Sequence, residues 1–113
     1  MKQIIFGTCP SKSNCYRVAN NIFYKTDSLK KFEDNFYIQC NHYRNSNVSG
    51  YFEFYIDVFY PNQRADLDNS LKVVLDCLQK CKAFPNDNKC VKIVARKFLD
   101  KTKPRIEFLI KQI

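Results

Sequence analysis

Phe52, Phe54, Ile56, Val58 and Tyr60 alternate with Tyr51, Glu53, Tyr55, Asp57 and Phe59. A period of two sustained across 51–60 predicts the strongest strand of the chain, and Pro61-Asn62 ends it. A few residues later the period lengthens. Leu67, Leu71, Val74, Leu75 and Leu78 recur at helical spacing and predict a helix over 67–82 with one apolar stripe. Leu29, Phe32, Phe36 and Ile38 give a looser helical spacing, which predicts a helix over 27–45 with Ser28 as its N-cap. Shorter strands are predicted at 2–7, 90–99 and 105–111. In the second of these Val91, Ile93 and Ala95 oppose Lys92, Val94 and Arg96, and in the third Ile106, Phe108 and Ile110 share a face. Segments 9–14, 45–50, 84–88 and 101–104 carry the Pro, Ser, Asn and Lys composition of loops and turns. The stretch 15–24 fits either a strand or irregular chain. Strands on both sides of a helix predict an α+β fold: one small domain with a mixed sheet.

Composition narrows this picture. The 113 residues favour a single domain over 1–113, and 45% hydrophobic with 15% aromatic content is enough for a packed core. Only two glycines and four prolines exclude a linker-rich or disordered chain. Net charge is +8, and from Lys80 onward ten Lys/Arg face three acids, so about +7 sits in the last third. Such a surface attracts polyanions, either nucleic acid or anionic membrane. Met1-Lys2 leads into Ile4-Ile5-Phe6, an apolar run far too short for a signal segment or a membrane span. The sequence therefore predicts a soluble, intracellular protein with no membrane partner. Six cysteines stand at 9, 15, 40, 77, 81 and 90, with no Cys-x-x-Cys and a single histidine, His42. Buried free thiols are the expectation, rather than a disulfide framework or structural zinc.

The candidate chemistry lies where the strand pattern gives way to the helix pattern. Asp66-Leu67-Asp68-Asn69 concentrates acid there, with Lys72 one turn on and Asp87 in the turn after the helix. Inside a helix, residues two apart point about 200° apart, whereas in extended chain they share a face. Asp66 and Asp68 can converge only if the chain is extended or just entering the helix. Magnesium takes oxygen ligands, commonly one or two carboxylates with water and phosphate. Asp87 is the natural third donor, provided the strand after the helix lies beside the first. The same residues also suit a plain structural role. Asp is favoured at N-caps and in first turns, and Lys72 sits four from both Asp68 and Asp76, as an ion-pair partner would. Spacing alone leaves both readings open.

The block Pro61-Asn62-Gln63-Arg64-Ala65-Asp66-Leu67-Asp68-Asn69, with Lys72, Asp76, Leu78 and Asn86-Asp87, resembles the RusA family of Holliday junction resolvases. Pro10-Ser11, Asn14-Cys15-Tyr16-Arg17 and Lys103-Pro104-Arg105-Ile106-Glu107-Phe108 are similar to that family's opening and last hairpin. The resemblance implies a RusA-like fold in which two helices cover one face of the sheet. It also implies a homodimer that places paired nicks in four-way DNA junctions during recombination and repair. Asp66, Asp68 and Asp87 match the family's catalytic, magnesium-binding aspartates, with manganese able to substitute, and Lys72 matches its essential lysine. A cytoplasmic or nucleoid setting, including one supplied by a virus or prophage, goes with that role. Three positions differ from the family pattern: Asn86 replaces an acid, Ala65 an arginine and Lys82 a glycine.

Under this reading the metal lowers the pKa of bound water and offsets charge on the scissile phosphate. Lys72 would stabilise the charged transition state. Arg17, Arg64, Lys92, Arg96, Lys97, Lys101, Lys103 and Arg105 are the candidate DNA contacts. Phe84 is either a wedge for the junction centre or a core residue. Two alternatives stay open: a non-catalytic RusA-like DNA-binding protein, and a nuclease that prefers flaps or other branched DNA.

Overall fold

A computed structural model describes residues 2–10 and 16–113. Four strands form one sheet: β1 (Gln3–Phe6), β4 (Phe52–Tyr60), β5 (Cys90–Leu99) and β6 (Arg105–Gln112), in the spatial order β1-β6-β4-β5. β4 pairs antiparallel with β6 and parallel with β5, so the sheet is mixed. The helices α1 (Asp27–Gln39) and α2 (Leu67–Lys80) contribute their apolar faces to the core. The fold is the expected α+β class, and none of the described helices is long and apolar enough to cross a membrane.

The period-two pattern of β4 is realised residue for residue. Phe52, Phe54, Ile56, Val58 and Tyr60 are buried, and the alternate side chains are partly open. Phe36 stacks on Phe108 with ring centroids 5.8 Å apart, and Phe84 stacks on Phe52 at 4.8 Å. Each fully buried aromatic is worth about 2–3 kcal/mol of transfer free energy. Phe84 is thus a core residue, and the wedge reading is overturned. Among the described cysteines, Cys9, Cys40, Cys77 and Cys81 are buried and Cys90 is half-buried; Cys40, Cys77, Cys81 and Cys90 are free thiols. Cys15, like Pro10's neighbour Ser11 and Asn14, lies outside the described residues.

Four local expectations change. Residues 16–25 form a hairpin, β2 (Tyr16–Ala19) with β3 (Ile22–Lys25), turned by Asn20 and Asn21 at φ 52° and 61°. Two consecutive positive φ values are what a tight primed hairpin turn demands, and asparagine tolerates them. The first helix ends at Gln39, with Cys40 as its C-cap, not at 45. Its N-cap is Thr26, whose Oγ1 accepts the Leu29 N–H at 3.3 Å; Ser28 lies inside the first turn. The second helix stops at Lys80 because the chain reverses at Lys82, which adopts φ 62°. Lys82 takes the left-handed position usually given to glycine, and the Ala83 N–H still closes onto Leu78 O at 3.0 Å.

Candidate active site

β4 ends at Tyr60, and the loop 61–66 turns the chain into α2. Asp66 is the N-cap residue, extended at φ −93° and ψ 132°, and its side chain makes no capping hydrogen bond. The simple capping role therefore does not account for Asp66. Asp68, in the first turn, accepts only a short-range bond from the Asn69 N–H at 3.0 Å. The extended-to-helix switch between them is the geometry that lets two nearby carboxylates face one side.

Tyr60 and Ser70 anchor this corner. The Tyr60 hydroxyl lies 2.5 Å from Ser70 Oγ and reaches Asp66 O at 3.5 Å. Burial raises the Tyr60 pKa; the Ser70 bond opposes that, and the Cys9, Asp66 and Asp68 charges add to the rise. Asp66 and Asp68 thus present negative charge to the same phenol. Sequence reasoning missed Ser70. Its signal was position: it lies four before Val74, on the apolar stripe, where an unpaired hydroxyl would be costly.

Asp87 comes back to α2 because β5 runs parallel to β4 beside it, the condition the sequence set for its return. It opens a single 3-10 turn, Asp87–Lys89, just before β5. Lys72 Nζ lies 3.7 Å from Asp87 Oδ2 and 3.2 Å from Asp76 Oδ1. Asp76 holds the Lys72 pKa above its ordinary value through a hydrogen bond, and Asp87 adds to that. Lys72 pairs with Asp76 and Asp87 and lies one turn after Asp68 on the same helix face. Asn86 is occupied: its Oδ1 accepts the Asn88 N–H at 3.0 Å and caps the 3-10 turn.

The donor chemistry fits a hard divalent cation, since every candidate ligand is a carboxylate and that of Asp66 is not used to cap the helix. The distances are less complete. Among the described residues no group of three or more His, Cys, Asp or Glu side chains stands close enough to hold a metal ion. Asp66 and Asp68 are near neighbours in sequence at the start of α2, and Asp87 meets the helix one turn further on, at Lys72. The physical reason lies in β5. Asp87 precedes its first residue, whereas the loop leading into Asp66 meets its far end, at Lys97.

The basic residues divide by what they touch. Arg17 lies exposed on the hairpin, and Arg64 lies exposed in the loop before Asp66. Lys101 and Lys103 sit in the β5–β6 turn, brought beside the end of β4 by the bond from Asp100 N–H to Tyr60 O at 2.8 Å. Lys92 lies 5.9 Å from the Tyr55 ring. Arg96 forms a fork with Asp57, at 2.8 and 2.9 Å. Arg105 is held by Asp100 at 2.8 Å and Glu107 at 2.7 Å, and lies 3.8 Å from the Phe59 ring centroid. Lys97 donates to Gln63 O at 3.1 Å and Ala65 O at 2.6 Å. Arg64, Lys101 and Lys103 thus gather at the Asp66 end of the sheet, while Arg96, Lys97 and Arg105 have partners within the protein.

Comparison with curated proteins finds no match. A scan against protein-family models matches residues 8–111 to endodeoxyribonuclease RusA. That match covers nearly the whole chain and includes every aspartate of the site, so the chain belongs to the RusA endodeoxyribonuclease family.

Proposed function

We propose that the protein is a magnesium-dependent endodeoxyribonuclease that resolves four-way (Holliday) DNA junctions by paired nicks, in recombination and repair. The observation that carries this reading is the corner at the end of β4. A RusA-family chain presents Asp66 there with its carboxylate unused by the helix cap, and brings Asp87 back to Lys72. Asp66, Asp68 and Asp87 would hold the divalent cation, magnesium or manganese, which supplies charge neutralisation and an acidified water at the scissile phosphate. Lys72, kept cationic by Asp76 and Asp87, would meet the negative charge that builds on the phosphate oxygens. Tyr60 and Ser70 hold the start of α2 in place under that charge.

Arg17, Arg64, Lys92, Lys101 and Lys103 are proposed as the phosphate contacts, because they are not engaged as Arg96, Lys97 and Arg105 are. The uncovered face of the sheet supports a homodimer. Phe6, Arg105, Phe59 and Phe98 line up across all four strands on that face, and Phe6 is 51% exposed. Two copies joined there would supply the two sites that paired nicks need.

One observation favours a second reading, a RusA-like DNA-binding protein without catalysis: no three acids close around an ion among the described residues. Asp68→Asn and Asp87→Asn separate the two. The nuclease reading expects cleavage of a four-way junction in magnesium to fall by about a thousandfold or more, while junction affinity in EDTA stays the same or tightens. A mutant that cuts at the wild-type rate removes the site assignment. A wild type that binds junctions and cuts none establishes the second reading.

A further inference from the structure

Lys97 pairs in register with Val58, so it shares the helix-covered face of the sheet with Ile56, Val58 and Ala95. Its stem passes the Tyr60 ring, with Nζ 5.6 Å from the centroid, and its ammonium donates to the carbonyls of Gln63 and Ala65. The second of these belongs to the peptide unit that leads into Asp66. Within the loop, Asn62 Oδ1 takes the Arg64 N–H at 3.0 Å, a purely local bond. The Tyr60 hydroxyl reaches Asp66 O only at the long limit of 3.5 Å. Lys97 ties the loop to β5, and hydrogen bonds from a charged donor are stronger than neutral ones.

We propose that Lys97 is a positioning residue: it clasps the 61–66 loop to β5 and so sets the extended backbone that presents the Asp66 carboxylate beside Asp68. Its consequence for catalysis rests on the nuclease reading above; the clasp itself does not. β5 then serves both halves of the site, following Asp87 at its start and fixing the approach to Asp66 near its end. A lysine that contacted DNA would act on affinity. A lysine that positions Asp66 acts on turnover and on the magnesium requirement.

Two variants test this: Lys97→Met, which keeps the stem over Tyr60 and removes the donors, and Lys97→Arg, which keeps charge and donors. Lys97→Gln replaces the methionine variant if that one does not fold. The first readout needs no activity: native-state trypsin cleavage after Arg64, which reports local opening of the loop. Lys97→Met should raise that rate about tenfold and Lys97→Arg should stay near wild type. The second readout is cleavage at saturating junction. Lys97→Met should lower the rate about tenfold and raise the half-saturating magnesium, with junction affinity in EDTA unchanged. Unchanged cleavage after Arg64 overturns the clasp. Weakened affinity with an intact saturated rate makes Lys97 a DNA contact and overturns the positioning role. If the wild type cuts no junction, the nuclease reading falls, and the trypsin readout alone decides whether the clasp stands.

Discussion

Asp100 shows how much of this chain's charge is spent on its own folding. Its carboxylate accepts from the Lys103 and Thr102 backbone N–H groups and the Thr102 hydroxyl, and pairs with Arg105. These bonds, that from Lys103 first, pull its pKa from the ordinary 3.8 to about 2. Glu107 and Glu33 are also lowered; burial works against this, but Lys2 and Arg105 prevail at the first and Lys80 and Lys25 at the second. A carboxylate whose folded pKa is depressed contributes stability above its unfolded value and loses it as pH falls through the folded one. The thermal midpoint should therefore hold from neutral pH down to the ordinary carboxylate range near 4.5 and then fall steadily towards pH of about 2. Asp100→Asn should start lower at neutral pH and fall less steeply, as followed by circular dichroism; parallel curves for the two proteins would remove Asp100 from the account. The charge of Arg105 and Lys97 is visible in the sequence, whereas their partners are not: Arg105 pairs with its near neighbours Asp100 and Glu107, and Lys97 with a loop more than thirty residues earlier.

At the scale of elements, regular patterns were legible and short irregular ones were not. β4 and α2 declared themselves because each repeats one period long enough to be unmistakable, and each was found where its period placed it. The hairpin at 16–25 stayed undecided because each strand is only four residues long, its apolar residues show no clear alternation, and they lie exposed. Its readable signal was Asn20-Asn21, a pair suited to two positive φ values. The cap of α1 was misplaced by two positions because Thr26 and Ser28 both have capping side chains. The contact that chooses Thr26 is the Leu29 N–H. Thr26→Ala should cost about 1 kcal/mol in urea unfolding, with Ser28→Ala near neutral; equal costs would contradict the observed cap.

For the whole molecule, the sequence held the fold class, the side of each long strand that meets the core, and the types of ligand at the site. It did not hold the distances between ligands. Asp66 and Asp68 are local, so the strand-to-helix switch reveals their relation. Asp87 depends on where β5 docks, and the parallel pairing of β4 with β5 brings it to Lys72 but not into a closed set with the other two. The gathering of Arg64, Lys101 and Lys103 at one end of the sheet is likewise a product of topology. A basic edge beside an acidic corner is the arrangement expected of a protein that grips branched DNA through its backbone. The most direct measurement is cleavage of a synthetic four-way junction and of a linear duplex of the same sequence, each with magnesium and with EDTA. The account predicts symmetric nicks in opposing strands of the junction with magnesium, none in EDTA, and an intact duplex. Equal cutting of junction and duplex, or cutting of the junction that persists in EDTA, would contradict it.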